Sequence, residues 1–368
     1  MNARGRVLSA GLAVAMLAAS GMEARAAAAR GASQRQKRPP AAHRKATRGA
    51  SVALPSVLVP ASASARDLAV TEAAQRVLGG AGGAVVAMDP RSGRVLGIVN
   101  PRSAVQRAYQ PCSVFKIVVA IAGLTEGVIT PTTQITCDGG CWFWPGHGPV
   151  DLRRALANSC NPYFQRVGER LGYEKIQRYA QLLGLGAKSG INVAGDEASG
   201  RMPYYVGPAG VGKLSSHAEG ITTSAVQLAV LLSAVVNGGT VFQPQLSAAE
   251  GFTARERWRL PSGTVLRGLA DGFLSAVNEG SAAEAFDPDI VVAGKTGTCA
   301  GLGWFASYAP ADKPEMVMVV FLPAATGHQA SSVAGRIYQE LYKGPPATLA
   351  AGADGAPPVG RPAGGSKP

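Results

Sequence analysis

Short apolar runs separated by polar turns mark strand-like segments near both ends of the folded part of the chain. Ala84–Met88 and Val95–Val99 are two such runs, joined by a turn of Asp, Pro, Arg, Ser and Gly, which is typical of a β-hairpin. Residues 290–298, 303–308 and 316–322 form three more runs with short turns between them. We therefore expect strands early and late in the chain, with helices inserted between them.

Apolar residues at helical spacing fill the middle of the chain. Pro111 and Pro162 indicate helix starts, because proline is tolerated in a first turn, and Ser224 with Gln227 predicts a capping box. The apolar run after Ser224 is about fifteen residues, or about 22 Å as a helix, which indicates a core helix rather than a membrane span. The predicted helices cover 112–122, 152–159, a segment from 162, 224–237, 265–277 and 333–341. Together these elements predict an α+β fold with one discontinuous sheet and a helical subdomain.

The helix predicted after Pro111 carries the first candidate chemistry. Ser113 and Lys116 lie three residues apart, so one helical turn brings their side chains to a common face. Nearly every other position from 112 to 122 is apolar, which predicts a helix buried on all sides. Burial lowers the pKa of an ammonium group, so a neutral Lys116 could take a proton from Ser113. The spacing also arises by chance, and the alternative is a lysine reaching solvent beside a capping serine.

The N-terminal segment has the pattern of an export signal. Arg4 and Arg6 precede an apolar run at 7–19 and small residues up to Ala26. This is the layout of a secretory signal peptide, residues 1–26, with cleavage near Ala26. The run is short for a bilayer span, so an uncleaved membrane anchor is the less favoured alternative. We expect the protein to be exported to the periplasm or cell envelope.

Two further segments are expected to be disordered. Residues 27–65 form a basic linker rich in Ala, Pro and Ser, which we interpret as a disordered tether. Residues 345–368 are rich in Pro, Gly and Ala and are interpreted as a disordered tail. One folded domain is then expected over 66–344.

Most of the positive charge lies in these terminal segments. The chain carries a formal net charge of +13, but residues 51–345 contain 24 Lys or Arg against 21 Asp or Glu. The basic tether suggests electrostatic contact with an anionic membrane or wall polymer, and a merely solubilising linker is the alternative. The chain has no basic patch with interleaved aromatic residues, so we expect no nucleic-acid binding.

The chain contains five cysteines, and an odd number in an exported protein leaves at least one thiol unpaired within the chain. Cys137 and Cys141 could close a small disulfide loop in an oxidising compartment. Together with His147 they offer only three zinc ligands at a spacing that is not diagnostic. We therefore predict no metal and no cofactor.

Three short motifs occur in order along the chain. They are Ser113-Val114-Phe115-Lys116, Ser159-Cys160-Asn161 and Lys295-Thr296-Gly297-Thr298. As S-x-x-K, S-x-N and K-T-G, they form the set found in penicillin-binding proteins and serine β-lactamases. Over 80–342 the sequence resembles a penicillin-binding protein transpeptidase domain, nearest to class B, and segments 85–93 and 147–152 share the resemblance. Lys188-Ser189-Gly190 also fits the third motif, but two strand-like runs do not follow it, so Lys295 is the better candidate.

The resemblance implies a β-lactamase/transpeptidase-like fold, in which an antiparallel sheet flanked by helices meets a helical subdomain at the active site. It also implies catalytic roles for three residues. Ser113 would attack the carbonyl between two D-alanines, with Lys116 as the base. Ser159 would relay the proton to the departing D-alanine.

The same resemblance implies the substrate-binding residues. The backbone amides of Ser113 and Thr298 would form the oxyanion hole. Asn161 would bind the peptide backbone of the substrate, Lys295 would supply positive potential, and the two threonines would bind the terminal carboxylate. The implied set is Asn161, Lys295, Thr296, Gly297 and Thr298.

Three cysteines stand inside these motifs or directly beside them: Cys112, Cys160 and Cys299. We interpret them as small buried hydrophobic residues. The alternative is that two of them pair across the cleft under oxidation and reduce activity.

The function implied by the resemblance is a D,D-transpeptidase that cross-links peptidoglycan stem peptides through a Ser113 acyl-enzyme, with β-lactams as covalent inhibitors. A D,D-carboxypeptidase uses the same residues with water as acceptor. A serine β-lactamase is less favoured, because no E-x-x-x-N segment follows Ser159 and class D enzymes have valine where Asn161 stands. A non-catalytic wall-binding or penicillin-sensing module remains the third alternative.

Overall fold

The computed structural model describes residues 54–246, 252–260 and 263–344, with the side chains of 263–267 excepted. The strands are β1 (Val57–Leu58), β2 (Ala84–Met88), β3 (Val95–Val99), β4 (Ile135–Cys137), β5 (Gly148–Val150), β6 (Thr240–Phe242), β7 (Glu256–Arg259), β8 (Ala293–Cys299), β9 (Leu302–Ala309) and β10 (Met316–Pro323). The α-helices are α1 (Ala65–Leu78), α2 (Pro101–Ala104), α3 (Lys116–Thr125), α4 (Leu152–Ala157), α5 (Asn161–Leu171), α6 (Tyr173–Leu182), α7 (Pro208–His217), α8 (Ala225–Val236), α9 (Gly263–Asn278) and α10 (Gly327–Lys343). Two 3-10 turns cover Cys112–Phe115 and Ala283–Ala285.

Six antiparallel strands form the main sheet, in the order β1-β3-β2-β10-β9-β8. The early hairpin β2-β3 joins the late strands through β10, where Met318 pairs with Ala87. The predicted discontinuous sheet is therefore confirmed, as is the antiparallel arrangement implied by the resemblance. Within the described part of the chain, β8 pairs only with β9, so the K-T-G strand lies at one edge of the sheet.

The sheet separates two hydrophobic cores. Successive residues of β10 enter opposite cores, Val319 on one face and Val320 on the other, because side chains of a strand alternate between faces. The Val320 face packs against α1 and α10, whereas the Val319 face packs against the inserted helices, including α3 and α8. The three sequence motifs therefore lie between the sheet and a helical subdomain.

The ordered body begins earlier than the predicted boundary at residue 66. Val57 and Leu58, inside the predicted tether, pair with β3. Helix α1 begins at Ala65, and Ser64 forms its capping box with Asp67. Asp67 also forms an ion pair with Arg94 in β2-β3, which fixes α1 to the sheet.

The predicted signal peptide, the tether up to residue 53 and the predicted tail lie outside the described residues. Among the residues that are described, no helix combines the length and apolarity needed to cross a membrane. Helix α8 contains the apolar run that follows Ser224. It is a core helix, as predicted, and Ser224 and Gln227 form its capping box.

Two predicted helices differ in detail from the observed ones. Ser113 lies in a 3-10 turn, and the α-helical conformation begins only at Lys116. The helix predicted over 152–159 ends at Ala157, so Ser159 lies in the connection before α5. Pro162 stands in the first turn of α5, as predicted.

Candidate active site

The nucleophile candidate lies in a tight turn at the foot of the cleft. Pro111 leads into the 3-10 turn, whose first residue, Cys112, has a φ of 53°. Ser113 follows it and is 9% exposed. Its hydroxyl makes no hydrogen bond to any described side chain or backbone group, so it faces the cleft. The fully buried apolar residues of α3 hold this turn against the core.

Lys116 is completely buried and directed at the S-x-N segment. Its Nζ donates hydrogen bonds to the Ser159 carbonyl at 2.6 Å, to Ser159 Oγ at 3.1 Å and to Asn161 Oδ1 at 2.7 Å. Burial lowers the pKa of Lys116 from 10.5 to about 7, against a smaller opposing effect of the Cys160 and Cys141 thiols. The neutral amine is therefore well populated near neutral pH, as the proposed base role requires.

Lys295 reaches the same hydroxyl from the opposite wall. Its Nζ lies 2.9 Å from Ser159 Oγ and donates to the Thr296 carbonyl at 2.9 Å. Burial lowers the pKa of Lys295 well below its ordinary value, and the positive charge of Lys116 lowers it further. Two buried amines thus share one hydroxyl group. Because two buried cations so close to each other repel, a neutral form of at least one is favoured.

The S-x-N segment connects two helices through an unusual backbone conformation. Ser159 has a φ of 52° and follows α4, and Asn161 is the first residue of α5. A positive φ at serine is uncommon and persists only where the surroundings determine it. The hydrogen bonds from Lys116 to the Ser159 carbonyl and to Asn161 Oδ1 hold Ser159 in this conformation.

The K-T-G strand closes the other side of the cleft. A Cβ at Gly297 would lie 2.8 Å from the Pro111 carbonyl oxygen, so only glycine lets β8 approach the nucleophile turn this closely. Thr296 Oγ1 contacts Ser281 Oγ at 2.7 Å. Thr298 Oγ1 accepts a 2.7 Å hydrogen bond from the backbone N–H of Gly327, the first residue of α10.

These residues line one cavity of about 300 Å³. Ser113, Ser159, Asn161, Thr296 and Thr298 all contribute to its wall. Lys116 and Lys295 lie beneath that wall, and Gly297 lies at its β8 side. The structure therefore brings together every residue of the predicted site. The alternative motif at Lys188 is not part of it, because Lys188 and Ser189 line a different cavity together with Trp258.

Five further residues line the cavity and were not predicted from the sequence: Trp142, His217, Ser281, Thr326 and His328. They come from loops and helix ends and belong to no motif, so only the fold brings them to the site. Trp142 is 63% exposed, and its indole N–H donates to the Asn158 carbonyl at 2.7 Å, which places the ring at the cleft rim beside the S-x-N segment.

Cys112 and Cys299 form a disulfide, with their Cα atoms 5.6 Å apart. Their interpretation as unpaired buried residues is therefore wrong, and the alternative pairing across the cleft is confirmed as a bond. Its effect on activity stays a prediction. The Cys137–Cys141 disulfide, which the sequence left open as a possibility, is not formed, because both side chains are free thiols.

Cys160, the middle residue of S-x-N, joins Cys137, Cys141 and His147 in a compact cluster. Their ligand atoms all lie within 4.8 Å of one another. Nε2 of His147 is buried and has no hydrogen-bond partner among the described residues. The Cys160 thiol lowers the pKa of Cys141 well below its ordinary value by hydrogen bonding to it. Three sulfurs and one imidazole nitrogen match the ligand set of a tetrahedral zinc site, so these residues could hold zinc. From the sequence only three of them could be grouped, because α4 separates Cys160 from the other three residues.

A family model of the penicillin binding protein transpeptidase domain matches residues 83–343. The chain belongs to this transpeptidase family. Among curated relatives, stage V sporulation protein D of Bacillus subtilis is 28% identical over 310 residues. The match covers 70% of this chain and 48% of the relative. Peptidoglycan D,D-transpeptidase MrdA of Haemophilus influenzae is 28% identical over 348 residues, which cover 72% of this chain and 53% of the relative. The chain therefore spans about half the length of these relatives.

The transpeptidase fold is also found in solved structures. Penicillin-binding protein A from M. tuberculosis, in an imipenem acyl-enzyme complex, matches with a TM-score of 0.64 and 21% identity, over 74% of this chain and 77% of that one. At this identity the likeness shows the fold.

Proposed function

We propose that this chain is a serine D,D-transpeptidase that acts on peptidoglycan stem peptides ending in D-Ala-D-Ala. The observation that carries the proposal is the hydrogen-bonded chain Lys116–Ser159–Lys295 beneath a cleft that exposes Ser113. Such a chain supplies a base and a proton route to one face of a nucleophilic serine. The D,D-transpeptidase activity named for MrdA supports the same reaction class.

Acylation uses the neutral amine of Lys116. Ser113 Oγ attacks the carbonyl carbon between the two D-alanines while its proton passes to Lys116. Ser159, which contacts both lysines, delivers a proton to the nitrogen of the terminal D-alanine. The C–N bond breaks, D-alanine leaves and an ester to Ser113 remains. The backbone N–H groups of Ser113 and Thr298 stabilise the oxyanion, and one such donor is worth about 3 kcal/mol.

The terminal carboxylate of the substrate fits the wall formed by β8 and α10. Thr296 and Thr298 present hydroxyl groups there, and Lys295 adds positive potential when protonated. The N-terminus of α10 meets the same wall at Gly327, so its dipole favours an anion. Asn161 uses its side-chain oxygen for Lys116, which leaves its NH₂ group to donate to a carbonyl of the stem peptide.

The acyl-enzyme is resolved by an amine from a second stem peptide. The amine attacks the ester, and the Ser159 route runs in reverse, so that a new amide forms and Ser113 regains its proton. Water in place of the amine gives a carboxypeptidase. A β-lactam acylates Ser113 in the same manner and is lost slowly. These substrates place the protein in the cell envelope, which agrees with the predicted export signal.

Labelling with a fluorescent penicillin tests the proposal. We expect stable labelling of the full chain and complete loss of label in Ser113→Ala. Mass spectrometry after incubation with a D-Ala-D-Ala peptide and an amine acceptor then separates the outcomes. Cross-linked peptide indicates a transpeptidase, and release of D-alanine alone indicates a carboxypeptidase. Rapid turnover of a chromogenic cephalosporin would indicate a β-lactamase, and a folded protein that takes no label would indicate a binding module.

A further inference from the structure

The disulfide joins the two backbone segments that surround the reacting carbonyl. Cys112 directly precedes Ser113, and Cys299 directly follows Thr298. Under the proposed function, the N–H groups of Ser113 and Thr298 are the oxyanion donors. The covalent bond is therefore one residue removed from each donor, and it connects residues that are 187 positions apart in the chain.

Each end of the bond lies at or beside a residue with a positive φ. Cys112 has a φ of 53°, and Ala300, which follows Cys299, has a φ of 47°. Residues with side chains adopt this left-handed region rarely, and they keep it only where surrounding contacts determine it. The turn between β8 and β9 determines the conformation of Ala300, whereas Cys112 itself carries the bond.

Noncovalent contacts and the disulfide together join the nucleophile turn to β8. Trp304 Nε1 donates to the Gln110 carbonyl at 2.9 Å. Gly297 packs closely against Pro111 upstream of the serine and against Val114 downstream of it. The disulfide adds a covalent link at the end of β8. Among the described residues β8 pairs with β9 alone, so its last residue, Cys299, is held by one neighbouring strand.

We propose that the Cys112–Cys299 disulfide is a positioning cross-link that sets the separation of the two oxyanion donors. This inference rests on the proposed acyl transfer. The bond contacts neither the reacting carbonyl nor the leaving group, so it acts through Ser113 and Thr298. Breaking it lets the end of β8 move away from the nucleophile turn and misplaces the donors in the transition state. Ground-state binding depends on the cavity wall and is retained.

The test compares Cys112→Ala, Cys299→Ala and the double variant with the wild-type chain. Rapid-mixing kinetics with a fluorescent penicillin separate the dissociation constant of the initial complex from the acylation rate constant. We expect the acylation rate constant to fall by about 10- to 100-fold in all three variants, because a misplacement of the donors by about 1 Å has effects of this size. The dissociation constant should change less than threefold. The three losses should be equal, because the bond is the functional unit.

Additive losses, or losses confined to the dissociation constant, would show a packing role and overturn the proposal. A faster acylation in the variants would show that the bond restrains activity and would also overturn it. If the wild-type chain takes no label at all, both this proposal and the proposed function fail. If the wild type is acylated on Ser113 and the variants acylate at the wild-type rate, only the cross-link proposal fails.

A reduction experiment covers variants that fold poorly. A phosphine cleaves the disulfide of the wild-type chain to two thiols and becomes the phosphine oxide, with oxygen supplied by water. Cys137, Cys141 and Cys160 are already free thiols, so the phosphine leaves them unchanged. We expect the acylation rate constant to fall in proportion to the fraction reduced, as counted by thiol alkylation and mass spectrometry. An unchanged acylation rate constant after complete reduction would contradict the cross-link role. The double variant lacks the bond, so an equal fall in its acylation rate constant on phosphine treatment would also contradict that role.

Discussion

Lys116 combines deep burial with three hydrogen bonds to the S-x-N segment, and this combination determines when the site can act. The amine has a pKa of about 7 because the apolar core removes water from it. Its neighbour Lys295 also has a depressed pKa and shares Ser159 with it. The titration of the site therefore belongs to the lysine pair, although desolvation of Lys116 sets the pH at which it occurs.

We predict that acylation by a penicillin rises with pH through about 7 and reaches a plateau above it. Below this pH Lys116 is protonated and cannot accept the proton of Ser113. The measurement is the second-order acylation rate constant between pH 5 and 9. A rate that stays constant down to pH 5 would exclude Lys116 as the titrating base.

Lys116→Met provides the control in a stability measurement. In the unfolded chain a lysine has a pKa of about 10.4, so between pH 7 and 10 the unfolded state binds the additional proton. The free energy of unfolding of the wild type should therefore increase relative to Lys116→Met across this range, by up to about 1.4 kcal/mol per pH unit. Urea titrations at pH 7 and 9 measure the difference. A difference that does not change between pH 7 and 9 would show that Lys116 is protonated in the folded protein, because both states then bind the same proton.

Elements built on simple periodicity were predictable, whereas the connections that carry chemistry were less so. The β2-β3 hairpin followed from its apolar runs and its turn, where Asp89 accepts a hydrogen bond from the Arg91 N–H at 2.9 Å and Gly93 has a φ of 74°. The end of α4 did not, because Ser159 adopts a positive φ without the glycine or asparagine that usually signals it. Hydrogen bonds from a distant lysine determine that conformation, and no local pattern records them.

The cluster of three cysteines and His147 could not be predicted from local sequence patterns either. Strands β4 and β5 are three residues each, and a hairpin this short has little stability of its own. Cys137, Cys141 and His147 lie at the end of β4 or in the loop before β5, and Cys160 joins them because α4 turns the chain back.

We predict that zinc binds this cluster and stabilises the β4-β5 region. Purified protein should contain about one zinc per chain by elemental analysis, since the set offers three sulfurs and one nitrogen. Cys141→Ser should lower the zinc content and the melting temperature, whereas Ser189→Ala, a buried residue away from the cluster, should leave the zinc content unchanged. A wild-type protein whose melting temperature is the same with and without a chelator would contradict the prediction.

The overall architecture followed from the sequence because its strands are long and its helices are strongly apolar. Strand β1 did not, since Val57 and Leu58 form too short a run to distinguish from a linker rich in Pro, Ser and Ala. It is a strand because β3 offers an open edge for Val57 and Leu58 to pair with. The sheet order places β1 at one edge and the K-T-G strand β8 at the other. Support at the β1 edge is therefore separated from the candidate active site at the β8 edge.

This separation predicts how two truncated chains will behave. A chain of 66–344 lacks β1 and the capping box of Ser64, whereas a chain of 54–344 keeps both. Loss of a cap costs about 1 kcal/mol, and loss of the strand pairing adds to it. The shorter chain should therefore melt several degrees lower, since 1 kcal/mol shifts the melting temperature of a domain of this size by about 2–4 °C. Both chains should acylate at the same rate at a temperature where both are folded, because β3, β2, β10 and β9 separate β1 from the cleft. Ser64→Ala in the longer chain isolates the contribution of the cap. Equal melting temperatures, or a slower acylation of the folded shorter chain, would show that the two edges of the sheet are not independent.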